Sequence, residues 1–160
     1  PLMYYHPKGP VGRLFEKLPG DRPRRVAAVG LGCGALAHYA RPGDSWAFFE
    51  IDPAVARVAR HERYFTFLAT CPAAVRVVLG DARRQLLREP DGAFDLIVLD
   101  AFSSDAIPAH LLTREAFAVY VRKLAPGGVL LFHLSNRYLD LPPLVARVGA
   151  AHDPPFAARM

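Results

Sequence analysis

The sequence has few cysteines and no long hydrophobic run. Its two cysteines, Cys33 and Cys71, lie far apart and form no pair with metal-ligand spacing, which is compatible with a reducing compartment. No apolar stretch approaches the roughly 20 residues needed to cross a bilayer, and no signal-peptide pattern opens the chain. We therefore expect a cytoplasmic location and no membrane contact by this chain.

Aromatic platforms and nucleic-acid reading modules are also missing, although the formal net charge is +5. We interpret most of the arginines as solvent-exposed helix faces and expect no nucleic-acid partner. Four histidines, His38, His61, His110 and His152, have no metal-ligand spacing, so we expect no metal. We interpret His133, which falls within a predicted strand, as a core or near-core residue.

What is present is an alternation of short apolar strands with helices in a chain of 160 residues, the length of one domain. Such an alternation predicts an α/β fold with a doubly wound parallel sheet. The predicted strands are 26–29, 46–51, 75–79, 94–99 and 129–134, and the predicted helices are 35–40, 53–64, 82–88, 110–124 and 141–152. Pro126, Gly127 and Gly128 are expected to close the fourth of these helices.

We expect the chain to divide into a segment over 1–23 and an α/β domain over 24–160. The first segment is expected to hold a short strand at 2–6, a turn and a short helix at 14–18. Because the chain begins at Pro1 and few residues follow the last helix, we expect the original protein to have been cut after strand five. An exposed outer strand is an association hazard, so a homodimer contact there is a hypothesis.

A glycine-rich turn follows the first strand and has two interpretations. Gly30, Gly32 and Gly34 match the dinucleotide fingerprint, with Ala35 at its last position, and also the loop of enzymes that use S-adenosylmethionine. Glu50 lies 18 residues after Gly32, at the end of strand two. A carboxylate there accepts hydrogen bonds from ribose hydroxyls, which suits NAD and adenosyl ligands equally.

Acids also end strands three and four. Asp81 is either the N-cap of the following helix or the acceptor for an adenine amino group, with the backbone of Ala82 beside the ring. Asp100 is either an ordinary acid or a group that orients an attacking nucleophile. Because the carboxyl ends of parallel strands meet at one edge of the sheet, we expect Glu50, Asp81 and Asp100 to share a cleft.

The segment Phe94-Asp-Leu-Ile-Val-Leu-Asp-Ala-Phe-Ser-Ser-Asp-Ala-Ile-Pro108 carries the most specific signal. Here the chain resembles spermidine synthases, and more closely the bacterial spermidine synthase-like proteins, over roughly 2–144. The other matching segments are 4–6 with 9–12, the glycine turn, 49–52, 80–82 and 135–138. The resemblance implies a Rossmann-like fold of the class I methyltransferase type with strand order 3-2-1-4-5. It also implies transfer of an aminopropyl group from decarboxylated S-adenosylmethionine to a putrescine-like amine, leaving methylthioadenosine.

The resemblance also implies roles for individual residues. It would place Glu50 at the ribose, Asp81 at the adenine and Asp100 beside the attacking amine, and Asp105 would help to bind the cationic acceptor. The residues expected around these groups are, on the donor side, Gly30, Gly32, Gly34, Ile51 and Ala82 and, at the acceptor pocket, Tyr5, His6, Asn136 and Tyr138.

Several functions remain open from the sequence. Cys33 stands where classical spermidine synthases carry an aspartate that holds the donor's amine, so methyl transfer from S-adenosylmethionine, leaving S-adenosylhomocysteine, is the nearest alternative. A non-catalytic nucleoside-binding domain is a second alternative. An NAD-dependent oxidoreductase is a third, although it gives no particular role to Asp81 or to the segment from Asp100 to Asp105.

Overall fold

The chain folds around a five-stranded parallel sheet. A computed structural model describes residues 5–102, 107–134 and 140–151. The strands are β1 (Arg25–Val29), β2 (Ser45–Glu50), β3 (Ala74–Leu79), β4 (Phe94–Leu99) and β5 (Leu124–Phe132). They lie in the order β3-β2-β1-β4-β5, and every adjacent pair is parallel. The predicted fold class and strand order are confirmed.

Helices cover both faces of the sheet. They are α1 (Pro10–Lys17), α2 (Pro53–Arg60), α3 (Ala82–Leu87), α4 (Arg114–Lys123) and α5 (Leu141–Ala150), with 3-10 turns at Ala35–Tyr39 and Ala109–Leu111. The helix predicted over 110–124 is divided, because the Thr113 side chain accepts a hydrogen bond from the Ala116 amide at 3.2 Å and begins α4 at Arg114. The helix predicted over 53–64 ends at Arg60.

The expectation that Pro126, Gly127 and Gly128 separate helix from strand is wrong. Strand β5 begins at Leu124, directly after α4, and runs through these residues. Leu124 pairs with Phe94, and after a shift of register Val129 pairs with Leu96. The extra residues form an irregularity in which Gly127 has a φ of 74°.

The apolar runs of the central strands form the core. Val26–Val29 of β1 and Leu96–Leu99 of β4 are buried on both faces, as is typical of parallel strands between two helical layers. One layer, containing α3 and α4, covers Ile97 and Leu99, and the other, containing α1 and α2, covers Trp46 and Phe48. This packing fixes the strand ends from which the cleft described below is built.

Among the residues that the structure describes, no helix is both long enough and apolar enough to span a membrane. Residues 2–4 of the strand predicted at 2–6 lie outside the described part of the chain, and residues 5 and 6 are not in a strand.

Candidate functional site

A cleft of about 740 Å³ opens at the carboxyl ends of β1 to β4. It brings together the three acids expected to share one site, Glu50, Asp81 and Asp100. The other described residues that line it are Val29, Gly30, Gly32, Phe49, Ile51, Asp52, Val55, Gly80, Ala82, Ala101, Phe102, Pro108, His110 and Leu111. The predicted donor-side residues therefore surround one cavity, except for Gly34, which packs against Leu68.

The glycine turn forms the floor of the cleft because its backbone lies against the strand next to it. Gly30 has a φ of 96°, and a Cβ at this position would overlap the carbonyl oxygen of Asp100. Gly32 has a φ of 53°, and no atom lies within 4 Å of its Cβ position. Gly30 is therefore required by both conformation and space, and Gly32 by conformation alone.

These two glycines give a matched pair of substitutions. Gly30→Ala is expected to lower the free energy of unfolding by about 2–5 kcal/mol, because it adds an overlap to the cost of a positive φ. Gly32→Ala, with open space around its Cβ, is expected to cost about 1 kcal/mol. Urea denaturation of both variants measures the difference, and equal losses would show that the close approach to Asp100 is absent.

Glu50 links the glycine turn to the start of α2. Its Oε2 accepts a hydrogen bond from the Leu31 amide at 3.0 Å and its Oε1 accepts one from the Asp52 amide at 2.9 Å, and the residue is 8% exposed. Asp52 in turn caps α2 by accepting from the Ala54 amide at 2.7 Å. Each carboxylate oxygen of Glu50 has a second lone pair, so the group can hold this turn and still accept a ribose hydroxyl.

Asp81 does serve as a helix cap, and it also faces the cleft. Its Oδ1 accepts a hydrogen bond from the Arg84 amide at 2.9 Å. Its Oδ2 lies 3.1 Å from Nε2 of His110, which reaches the cleft from the 3-10 turn that precedes α4. The pairing of His110 with Asp81 was not predicted from the sequence, where His110 was considered only as a metal ligand. The two residues lie 29 positions apart.

Asp100 is held by His133, which was not predicted from the sequence as a site residue. Nδ1 of His133 lies 2.5 Å from Asp100 Oδ1, and the Phe102 ring stands edge-on to the imidazole at 4.7 Å. The Asp100 side chain is 15% exposed, and that of His133, interpreted as a core or near-core residue, is 29% exposed. Burial raises the pKa of Asp100, and the hydrogen bond and charge of His133 oppose that rise.

The predicted acceptor-side residues are placed differently. Tyr5 packs beside α1, where its carbonyl accepts a hydrogen bond from the Tyr39 hydroxyl, and His6 Nδ1 accepts one from the Lys8 amide at 3.2 Å. Neither is among the described residues that line the cleft. Asp105, Asn136 and Tyr138 lie outside the described residues.

The described lining of the cleft is acidic and partly apolar. It carries four carboxylates, on Glu50, Asp52, Asp81 and Asp100, together with His110 and no lysine or arginine. Two large apolar side chains are exposed there: Ile51 (68%) and Phe102 (39%). No group of three or more potential metal ligands occurs within the described ranges. This surface suits a positively charged ligand that has a flat apolar part.

The strand order, the glycine turn and the acidic strand ends define a class I methyltransferase-type fold with an acidic cleft at the carboxyl edge of the sheet. No protein-family model matches the chain. Over 125 residues it is 39% identical to the polyamine aminopropyltransferase of Vibrio vulnificus, covering 74% of this chain and 39% of that protein. A putative O-methyltransferase of Mycolicibacterium vanbaalenii is 29% identical over 124 residues, covering 75% of this chain and 50% of that protein.

Solved structures show the same fold. A probable spermidine synthase from Corynebacterium glutamicum aligns with a TM-score of 0.70 at 21% identity, covering 92% of this chain and 52% of that one. A spermidine synthase in complex with the transition-state analogue AdoDATO aligns with a TM-score of 0.66 at 21% identity, covering 80% and 45%. The chain therefore resembles polyamine aminopropyltransferases in sequence and spermidine synthases in fold. It spans half or less of the length of the curated relatives described here.

Proposed function

We propose that this chain binds decarboxylated S-adenosylmethionine and forms the donor side of a transferase that moves its aminopropyl group to a small amine. The observation that carries the proposal is the negative charge of the cleft lining. The chain has a formal net charge of +5, yet the described lining of this cleft contains four carboxylates and no lysine or arginine. Both proposed substrates, the sulfonium donor and the amine acceptor, are cations.

The nucleoside part of the donor fits the residues at the ends of β2 and β3. Glu50, fixed by two backbone amides, would accept the ribose hydroxyls. Asp81 would accept the adenine amino group while Ala82 and the exposed Ile51 contact the apolar ring. In this arrangement the adenine amino group would share Asp81 Oδ2 with His110 or replace it there.

The charges of the cleft favour the decarboxylated donor over S-adenosylmethionine itself. The carboxylated donor brings an anion into a cleft whose described lining offers no basic side chain beyond His110. The decarboxylated donor lacks this carboxylate and keeps the sulfonium and the ammonium, so it carries positive charge alone. Methyl transfer remains the second candidate, because O-methyltransferases are among the relatives and Cys33 replaces the aspartate that resemblance predicts for holding the donor's amine.

The proposed reaction is an in-line displacement at carbon. The lone pair of the amine nitrogen forms the new C–N bond, the C–S bond breaks, and its electron pair neutralises the sulfonium to give the thioether of methylthioadenosine. The proton lost by the amine passes to Asp100 or to water. Because the donor is already activated, alignment of nitrogen, carbon and sulfur supplies much of the acceleration, about 7–11 kcal/mol in the best model systems.

A thermal-shift comparison tests the donor assignment without knowledge of the acceptor. At about 100 times its dissociation constant, methylthioadenosine is expected to stabilise the chain by about 2.7 kcal/mol, a rise in melting temperature of about 5–10 °C. S-adenosylhomocysteine, which carries the carboxylate, is expected to give a smaller shift at the same concentration. A larger shift with S-adenosylhomocysteine would favour methyl transfer, a shift with NAD alone would favour an oxidoreductase, and no shift with any of them would favour a non-catalytic domain.

A further inference from the structure

Asp100 and His133 form a pair that joins the cleft to the end of β5. The two residues lie 33 positions apart and meet because β4 and β5 are neighbours, with Leu99 paired to Phe132. Asp100 lines the cleft, whereas His133 is not among the residues that line it. The imidazole therefore contacts the carboxylate from outside the cavity.

We propose that His133 is a positioning residue, which fixes one oxygen of Asp100 so that the other is presented to the acceptor amine. This inference rests on the proposed function, since it assigns the Asp100 end of the cleft to a cationic nitrogen. It adds a residue that does not contact the substrate.

The geometry of the carboxylate supports this role. Oδ1 accepts the hydrogen bond from His133 Nδ1, and Oδ2 has no hydrogen-bond partner among the described residues. A carboxylate otherwise rotates about its last torsion, which has only a broad preference. With Oδ1 held, Oδ2 has a defined direction, and an amine nitrogen bound there has a defined line of approach to the electrophilic carbon.

The pair also controls the charge of the carboxylate. Burial favours the neutral acid and raises the pKa of Asp100, while His133 favours the anion through its hydrogen bond and charge. The remaining titratable groups of the described cleft are Glu50, Asp52, Asp81 and His110. Removing the imidazole therefore leaves desolvation unopposed, so Asp100 should become protonated at higher pH and bind a cationic amine less well.

Two substitutions at position 133 separate positioning from packing. His133→Asn places an amide N–H close to the position of Nδ1, and His133→Leu keeps volume but removes the donor. With methylthioadenosine bound, affinity for 1,4-diaminobutane measured by calorimetry is expected to fall on the order of tenfold in His133→Leu and to be largely restored in His133→Asn. Affinity for methylthioadenosine itself should be unchanged in both.

A titration that needs no ligand tests the same pair. Carboxyl carbon-13 spectra of aspartate-labelled protein, with the Asp100 signal assigned from Asp100→Asn, should show Asp100 titrating at higher pH in His133→Leu than in wild type and His133→Asn. His38→Leu, at an exposed position outside the cleft, is the matched control and should leave the titration unchanged. Circular dichroism melting checks that each variant is folded.

The outcomes distinguish the inference from the proposed function. If wild type fails to bind methylthioadenosine or the diamine, the proposed function is wrong, and the titration still decides whether His133 acts on Asp100. If Asp100 titrates identically in wild type and in folded His133→Leu, or if His133→Asn behaves like His133→Leu, the inference is overturned.

Discussion

Replacing Asp100 by asparagine is expected to reduce transfer from decarboxylated S-adenosylmethionine to 1,4-diaminobutane by about 10²–10⁴-fold, the usual contribution of a positioned proton acceptor. The amide keeps the size of the side chain and a carbonyl oxygen that can still accept from His133. It removes the negative charge that binds the ammonium form of the acceptor and takes its proton. Release of methylthioadenosine, followed by chromatography, measures the rate.

The same variant should bind methylthioadenosine within about threefold of wild type, because the nucleoside contacts are proposed to lie at Glu50 and Asp81, on other strands. Asp21→Asn, at an exposed position outside the cleft, is the matched control and should leave turnover unaltered. Turnover in Asp100→Asn at the wild-type rate would remove Asp100 from the mechanism, and an equal loss in Asp21→Asn would show a general effect of charge.

Glu50→Gln is expected to affect both the fold and the donor. The carboxylate accepts one backbone amide at each oxygen, from Leu31 and Asp52, and the glutamine amide must turn its NH₂ group toward one of these donors. An unpaired donor at a residue that is almost fully buried should lower the free energy of unfolding by about 1–3 kcal/mol. The glycine turn loses an anchor as well, so methylthioadenosine affinity should fall more than tenfold.

Urea denaturation and calorimetry measure these two losses separately. Glu62→Gln changes the same groups at an exposed position just after α2 and should change neither quantity by more than experimental scatter. A folded Glu50→Gln variant with wild-type affinity for methylthioadenosine would show that Glu50 only braces the turn and does not contact the ribose.

Sequence patterns were sufficient for those parts of the molecule that are determined locally. β4 was predicted with its observed ends, and β1, β2 and β3 to within one residue, since each is an apolar run bounded by turn residues. The prediction that Glu50, Asp81 and Asp100 lie at one edge of the sheet required only that the strands be parallel. The assignment of roles to these acids remains a proposal.

The parts that could not be predicted depend on contacts between distant segments. His133 and His110 meet their aspartates only after β5 and the turn before α4 are placed in the fold. Pro126 and the two glycines after it are typical of a turn between a helix and a strand. Strand β5 nevertheless continues through them, because β4 offers pairing partners on both sides of the irregularity. At these residues, pairing with β4 outweighs the low strand propensity of proline and glycine.

The acidic lining of the cleft within a basic chain has a consequence for how ligands arrive. A dication far from the protein meets net repulsion, and only near the carboxylates does attraction exceed it. At physiological ionic strength the Debye length is about 8 Å, so salt screens the distant repulsion more completely than the contact attraction. Encounter with a polyamine should therefore slow little as salt is added, although the bound complex weakens. Discrimination against anionic nucleotides would then occur at the entrance, before any hydrogen bond is formed.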